Sequence, residues 1–489
     1  MKVNLSVDNL IKFREEGYTV APVSAEILSD IATPIESLKA LREQGGGCFL
    51  FESVEGGEKW ARYSFLGYKP KAEISLRDGV ITYTEGDSVR ISRCSDPDDF
   101  IRGILKDYRS PRIVGSPTFT GGLVGYFSYE YFRYAERAPH LKSGTDGDMR
   151  LYLFDKVVAY DNFRHKIIVT CNVPLDGDEQ GALDRATAEI AQIIKLIKKG
   201  ARRRRERVKI SPFTAKYTEE EYAERVKRVK RYIYEGDIFQ CVPSNRWTAS
   251  IEGSLINCYR LLRTTNPSPY MIYLDFGDTE IAGASPETLV KVTDGKVQTF
   301  PIAGTRKRGA TEEEDEALER ELLADEKEGA EHDMLVDLGR NDLGKVCAFG
   351  TVEVKDYRKI YRYSHVMHIT SSVSGMLKEG KDAVDALSAT LPAGTLSGAP
   401  KLRATEIISE LEDGEPRGVY GGAAGYFDFT GNADFCIAIR TAVRHGGEVT
   451  VRAGGGIVEG SDPRSEFMET VNKSAAVRLA AEGSAKVDI

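Results

Sequence analysis

Gly121-Gly122-Leu123-Val124-Gly125-Tyr126-Phe127 and Gly421-Gly422-Ala423-Ala424-Gly425-Tyr426-Phe427 repeat one pattern in distant parts of the chain. Glycine-rich runs recur by chance, so two readings stand: coincidence, or two similar strands at corresponding places in two related sheets. Around the first copy the sequence is rich in strand signals. Cys48-Phe49-Leu50-Phe51 reads as a buried strand, and alternating or β-branched runs recur at 79–84, 151–160 and 166–173, separated by Asp, Gly and Asn turns. One clear helix start interrupts them. Thr33-Pro34-Ile35-Glu36 offers an N-cap, a proline at the first helical position and a glutamate two residues on, a capping box ended by Gly45-Gly46-Gly47.

Residues 180–200 carry helical periodicity through Ala182, Leu183, Ile190, Ile193, Ile194 and Ile197. Lys198 and Lys199 then lead into the run Arg202 to Arg205, the strongest boundary signal in the chain. Such a run could hold a polyanion. No aromatics interleave with the arginines and the chain as a whole is acidic, so a solvated helix end and linker is the simpler reading. A helix resumes after Thr218 (Glu219 to Tyr234), and strands and helices mix from there on. The sequence divides into a strand-rich part at 1–200, a second part at 215–475 and a C-terminal tail at 476–489.

The 489 residues suggest about three domains' worth of chain. That is enough to bury a large core without disulfides or structural metals. Lys and Arg number 67 against 75 Asp and Glu, a net charge of −8 that disfavours a nucleic-acid binder. Seven scattered cysteines, an odd number with no C-x-x-C spacing, point to a reducing compartment. Met1 to Val20 lacks the apolar core of a signal peptide, and no run approaches the roughly 18 apolar residues of a membrane span. A soluble cytoplasmic protein without membrane or nucleic-acid partners is expected.

Familiar nucleotide, zinc-protease and serine-hydrolase motifs are absent, and no metal-type spacing links the six histidines. Carboxylates and glycines remain. Glu328 and Glu331 form one i, i+3 pair, Glu466 and Glu469 another, and that spacing puts both members of a pair on one helix face. Each pair alone reads as a solvated acidic face. Two such helices facing one another would form a carboxylate cage for a hard cation. Magnesium suits it, since that ion binds through one or two carboxylates plus the substrate's anionic groups. Ala453-Gly454-Gly455-Gly456-Ile457 follows a strand-like Val449-Thr450-Val451, and successive glycines let an anion approach main-chain N–H groups. Pro301-Ile302-Ala303-Gly304-Thr305-Arg306 offers a second corner, and Arg440 at a strand end can grip a carboxylate bidentately. Together these describe a pocket for a small di-anionic metabolite with magnesium.

Five runs carry a family resemblance: Pro301 to Arg306; Asp325 to His332 continuing through Leu335 to Leu343; Leu391-Pro392-Ala393-Gly394-Thr395-Leu396-Ser397-Gly398-Ala399-Pro400-Lys401; Val419 to Gly422; and Gly454 to Val458. In this order they closely resemble the chorismate-utilising enzymes, strongly over about 215–475 and more loosely before. Within the family the likeness is to the component I branch, which forms anthranilate in tryptophan synthesis. Aminodeoxychorismate synthases typically carry a lysine nucleophile where this chain has Ala303. The branch's tryptophan site resembles Leu50-Phe51-Glu52-Ser53 with Asn266-Pro267-Ser268-Pro269-Tyr270-Met271, although Phe51 stands where leucine is common. The tryptophan motif argues against aminodeoxychorismate and isochorismate or salicylate synthases alike. The paired glutamates argue against a non-enzymatic tryptophan-binding regulator.

The resemblance implies an α+β fold of two orthogonal antiparallel β-sheets packed as a sandwich with helices outside, the two parts of the chain interlaced. It implies that ammonia adds at C2 of chorismate with loss of the C4 hydroxyl, and that pyruvate is then eliminated. Glu331 and Glu469 would ligate magnesium directly, with Glu328 and Glu466 on its waters. Tyr420, Arg440 and the backbone of Gly454, Gly455 and Gly456 would bind the enolpyruvyl carboxylate. Gly304 and Thr305 would hold the ring, Glu287 would protonate the leaving oxygen and His368 would assist loss of the C2 proton. His365 reads as structural, and Lys473 either binds substrate or pairs with the glutamates. Ser53, Pro269, Tyr270 and Met271 would hold tryptophan as a feedback inhibitor. No cysteine lies in an amidotransferase context, so a separate glutamine amidotransferase subunit would supply ammonia within a heterodimer or heterotetramer.

Overall fold

The computed structural model describes residues 2–53, 62–136, 138–201, 207–362 and 366–487. The Arg202 to Arg205 run and His365 lie outside the described residues. The fold is α+β. Two antiparallel sheets, each of twelve strands among the described residues, pack face to face with helices on their outer faces. Both sheets draw strands from both ends of the chain. In the first, the strands Val20–Leu28, Lys166–Pro174, Lys156–Asp161, Tyr63–Tyr68 and Cys48–Glu52 continue into Tyr270–Asp275, Thr279–Ser285, Thr441–His445, Glu448–Gly454 and Ser244–Glu252. In the second, Ile302–Lys307, Val366–Met376, Lys296–Thr299, Thr288–Thr293, Ala433–Ile437 and Ala423–Asp428 continue into Gly122–Phe127, Met149–Phe154 and Ala72–Arg77.

Strand alternation assigns each side chain to a layer. Along Cys48–Glu52, Phe49 points between the sheets while Cys48 and Leu50 point to the helical side. Both faces are therefore buried, which is why this strand reads as an unbroken apolar run. The inner layer joins Phe49, Phe65, Ile272 and Leu274 of the first sheet to Val124, Tyr126, Phe154 and Tyr426 of the second. Phe49 meets Phe154 with ring centroids 4.8 Å apart, and Phe65 meets Tyr426 at 6.3 Å. Each aromatic pair adds about 0.5–1.5 kcal/mol beyond the area it buries. Outside the first sheet, Leu38, Leu41, Ile190, Ile193 and Val477 close the layer. Outside the second, Ile101, Val336, Leu343 and Leu387 do so.

The helix starts follow local chemistry. Thr33 caps Pro34–Arg42 by accepting from the Glu36 N–H at 3.3 Å, although only that half of the expected box forms. Thr218 and Glu221 form a complete reciprocal box at the start of Glu219–Tyr234. The run read as one strand at 151–160 is two, Met149–Phe154 and Lys156–Asp161, in different sheets, so the chain crosses the sandwich at Asp155.

The two glycine-rich copies are real strands, but they do not occupy corresponding places in two sheets. They are neighbours in one sheet, paired antiparallel with Gly125 opposite Gly425, Ala423 opposite Phe127 and Phe427 opposite Leu123. In both copies the tyrosine faces the inner layer and the following phenylalanine the outer one. The glycines are there for space. A Cβ on Gly122 would strike the carbonyl oxygen of Phe427, and one on Gly422 that of Phe127, a reciprocal contact across the pair.

Candidate active site

Two places where the chain passes between sheets build the centre of the site. Thr279–Ser285 belongs to the first sheet and Thr288–Thr293 to the second, so Pro286 and Glu287 form the crossing. Ala433–Ile437 and Thr441–His445 are related in the same way, with Ala438, Ile439 and Arg440 between them. The crossings are tied together. Ile437 N–H donates to the Glu287 carbonyl at 3.0 Å, Ala284 N–H to the Arg440 carbonyl at 3.1 Å, and Ser285 Oγ to the Ile437 carbonyl at 2.6 Å. Arg440 itself has φ of +52°. That left-handed backbone costs a non-glycine residue about 1–2 kcal/mol. Such strain persists where the surrounding structure enforces it.

Both crossings open on a cleft of about 540 Å³. Of the predicted catalytic, substrate and metal residues, Glu287, Gly304, Thr305, Glu328, Glu331, His368, Tyr420, Arg440, Gly454, Gly456, Glu466, Glu469 and Lys473 all line it. Gly455 stands just behind, where a Cβ would lie 2.9 Å from Glu466 Oε2 and 3.4 Å from Glu469 Oε1. Burial pushes the Glu287 carboxyl up to about 7, against the Thr395 hydroxyl at 3.2 Å and the opposing charges of Lys473 and Arg440. It therefore keeps a proton to much higher pH than an ordinary glutamate, as suits a general acid.

His368 lies on Val366–Met376 opposite Thr305, and the pairing slips between Ala303 and Thr305. Gly304 fills the slip with φ of +66°. A bulge of this kind re-aims the backbone. Here the Gly304 carbonyl accepts from His368 Nδ1 at 3.0 Å, with Thr305 Oγ1 also 3.0 Å away. A carbonyl only accepts, so the proton sits on Nδ1 and Nε2 keeps the lone pair. Burial lowers the imidazole's proton affinity, as does the Arg440 charge. A neutral ring that carries its proton on Nδ1 can serve as a base through Nε2.

The helices Glu326–Gly344 and Pro463–Gly483 present the four carboxylates on one wall. Glu331 is raised by burial and by Glu328 and Glu469, and Glu466 by burial with Glu469 adding to it. Lys473 Nζ lies 2.6 Å from Glu469 Oε1 and 3.3 Å from the Gly454 carbonyl, so the lysine pairs with the acidic wall in this conformation. Among the described residues no three His, Cys, Asp or Glu side chains converge into a ready metal cage. The donor set nevertheless suits magnesium, which needs only one or two carboxylates with water and substrate oxygens. Glu466 Oε2 is buried without a hydrogen-bond partner, as is Gln240 Oε1 across the cleft.

Several lining residues carry no distinctive sequence signal. Gln240, whose Nε2 approaches Glu331 Oε1 at 3.5 Å, sits in an ordinary Phe239-Gln240-Cys241 run. Thr395 lies inside a family-like motif, but only the fold shows that its hydroxyl meets Glu287. Beneath Tyr420, buried Glu412 holds Arg417 at 2.5 Å and Arg452 at 3.3 Å, and Arg417 donates to the carbonyls of Leu396 and Val242. These charges are paired, which lets them stand under the site without water.

A second pocket of about 380 Å³ lies between the sheets. Ser53, Pro269, Tyr270 and Met271 line it together. Glu52 joins them, buried, accepting from Tyr259 Oη at 2.6 Å with Arg263 Nε 2.9 Å away. Tyr270 Oη lies 2.9 Å from Thr288 Oγ1 and donates to Asp434 Oδ1 at 2.8 Å, and Asp434 also pairs with Lys291 at 2.8 Å.

Residues 47–478 match the family model described as chorismate binding enzyme, and the chain belongs to that family. Its relatives narrow the likeness. It is 44% identical to anthranilate synthase component 1 of Acetivibrio thermocellus, covering 98% of each chain. It is likewise 44% identical to that of Aquifex aeolicus, covering 99% of this chain and 98% of the other. The crystal structure of anthranilate synthase component I from Streptococcus pneumoniae superimposes with a TM-score of 0.77 at 36% identity, covering 92% of this chain and 99% of that one. The menaquinone-specific isochorismate synthase of Escherichia coli, at 19% identity and a TM-score of 0.69, shares the fold. Among the described residues no helix is long and apolar enough to cross a membrane.

Proposed function

We propose that this protein is the chorismate-converting component of an anthranilate synthase. It would turn chorismate and ammonia into anthranilate and pyruvate by way of 2-amino-2-deoxyisochorismate. The observation that carries the reading is the near-full-length likeness to anthranilate synthase component 1, joined to Ala303 in the cleft wall, where the aminodeoxychorismate branch needs a lysine.

Arg440, Tyr420 and the N–H groups of Gly454 to Gly456 hold the enolpyruvyl carboxylate, and Gly304 and Thr305 seat the ring. Glu287 gives its proton to the C4 oxygen as ammonia bonds to C2, so that oxygen leaves as water and the new ammonium sheds a proton. His368 Nε2 then takes the remaining C2 proton as the bond from ring C3 to the enolpyruvyl oxygen breaks and the ring becomes aromatic, and the released enolpyruvate takes up one proton at its methylene carbon to become pyruvate. Glu331 and Glu469, with Glu328 and Glu466 behind them, would hold magnesium. When bound, that ion neutralises the ring carboxylate and fixes its orientation. Ammonia is supplied by a separate glutamine amidotransferase subunit in a heterodimer or heterotetramer in the cytoplasm, and tryptophan bound by Ser53, Pro269, Tyr270 and Met271 inhibits the reaction.

Purified protein given chorismate, Mg²⁺ and ammonium near pH 8.5 is expected to generate anthranilate fluorescence. Chelation should abolish the signal and tryptophan should reduce it. Folded protein that stays dark, or that yields 4-amino-4-deoxychorismate or salicylate, would overturn the assignment.

A further inference from the structure

Glu328, Glu331, Glu466 and Glu469 crowd like charges onto one wall of the cleft. Carboxylates that share a site disfavour one another's ionisation. Burial raises Glu331, and Glu328 and Glu469 add to it; burial raises Glu466, and Glu469 adds to it. Three cations oppose this crowding. Lys327, exposed at the cleft, acts on Glu331 and Glu466. Arg306 Nη1 lies 3.7 Å from Glu328 Oε1. Lys473 Nζ lies 2.6 Å from Glu469 Oε1, and its charge also reaches Glu331, Glu466 and Glu287. The last two cations differ in how they are fastened. Arg306 is tied to Glu321 at 2.9 Å, Asp325 at 3.0 Å and its neighbour's carbonyl, that of Thr305, at 3.1 Å, so it stays in place without Glu328. Lys473 is held by Glu469 and, at 3.3 Å, by the Gly454 carbonyl, with its side chain 44% exposed. An exposed pair of this kind contributes little, and a compact ammonium on a flexible four-carbon stem swings off it readily.

We propose that Lys473 is a resident counter-ion that holds the place of a divalent cation on the acidic wall: its ammonium balances the carboxylates of the metal-free protein and gives up Glu469 when the metal binds. The inference rests on the reading of Glu331 and Glu469 as the metal's ligands. Two cations on one carboxylate stand so close that they repel strongly, so ammonium and metal exclude each other there. A divalent ion carries twice the charge and takes Glu331 as well, so it displaces the lysine. Removal of the lysine then has a telling sign. A residue that only steadied Glu469 would, once removed, weaken metal binding or leave it alone. Removing a competitor strengthens it.

Manganese is the probe, since it suits carboxylate sites and its free ion is read by electron paramagnetic resonance. The full chain is titrated with Mn²⁺ and no chorismate, as wild type, Lys473→Met and Lys473→Arg. Lys473→Met keeps an apolar stem and loses the charge, and it is expected to bind Mn²⁺ at least about threefold tighter than the wild type, the scale of one partly screened charge. Lys473→Arg keeps the charge and is expected to stay within about twofold of the wild type. Equal or weaker binding by Lys473→Met overturns the proposal, and so does a gain that Lys473→Arg shares, or a wild type that binds no Mn²⁺. A crystal of the wild-type protein soaked in Mn²⁺ gives an answer that depends on no variant. Anomalous density beside Glu469 is expected, with Lys473 Nζ more than about 4 Å from that carboxylate, beyond ion-pair range. A lysine still paired with Glu469 beside the bound ion sinks the idea. Neither measurement needs turnover, so anthranilate production by the wild type judges the proposed function separately.

Discussion

Glu287 is the residue on which function and stability pull in opposite directions. Its carboxyl is held at about 7 in the folded chain against an ordinary value of 4.5. A raised folded value means stability is whole below about 4.5 and is lost as pH climbs through about 7. Above that, an ionised glutamate sits in a site that prefers it neutral, a cost on the order of 1–2 kcal/mol after allowing for screening by the cleft water. Glu287→Gln is therefore expected to lower anthranilate formation by about 10²–10⁴-fold. The same variant should unfold at a higher temperature than the wild type at pH 8, with the difference vanishing near pH 4.5. Calorimetry at the two pH values checks it, and a stability gain that is the same at both would contradict the assigned ionisation.

At the scale of elements, the paired strands Gly122–Phe127 and Ala423–Asp428 show both what could be read and what could not. The repeated glycine pattern left coincidence and a pair of similar strands both open, and the fold decides for strands. Their pairing depends on contacts between residues some 300 positions apart, which no local periodicity encodes. The helix bearing Glu328 and Glu331 was legible from i, i+3 spacing, and so was the one bearing Glu466 and Glu469. That both face one cleft with Glu287 and His368 came through likeness to a family, since each acidic pair alone looks like a solvated surface. Gln240 and Thr395 were invisible because their importance lies in which neighbour the fold gives them. The pairing also makes a sharp demand. A Cβ on Gly125 would run into the Arg150 carbonyl on the adjoining strand, with no flexible group to yield. Gly125→Ala is expected to cost about 2–4 kcal/mol, read as a lower urea midpoint, although it touches no site residue.

On the scale of the whole molecule, the pocket between the sheets is linked to the cleft through one stretch of chain. Tyr270 reaches from the first sheet to Thr288 in the second, and Thr288 follows Glu287 directly. If tryptophan occupies that pocket, the Tyr270 hydroxyl offers a hydrogen-bonded connection from it to the residue next to Glu287. Tyr270→Phe is expected to raise the tryptophan concentration for half-inhibition at least several-fold, while uninhibited kcat stays within about threefold. Equilibrium dialysis would separate lost coupling from lost binding, and unchanged inhibition would remove Tyr270 from the route.

The two crossings that carry Glu287 and Arg440 have a mechanical consequence. Each is a rivet through both sheets, and the pair is fastened by the bonds from Ile437 and Ala284. Neither Glu287 nor Arg440 belongs to one sheet alone, so the distance between them acts as a gauge of how the sheets lie on each other. A wedge driven in at the Tyr270 end would shear both rivets at once. Substrate affinity and turnover should then decline in step as the inhibitor saturates.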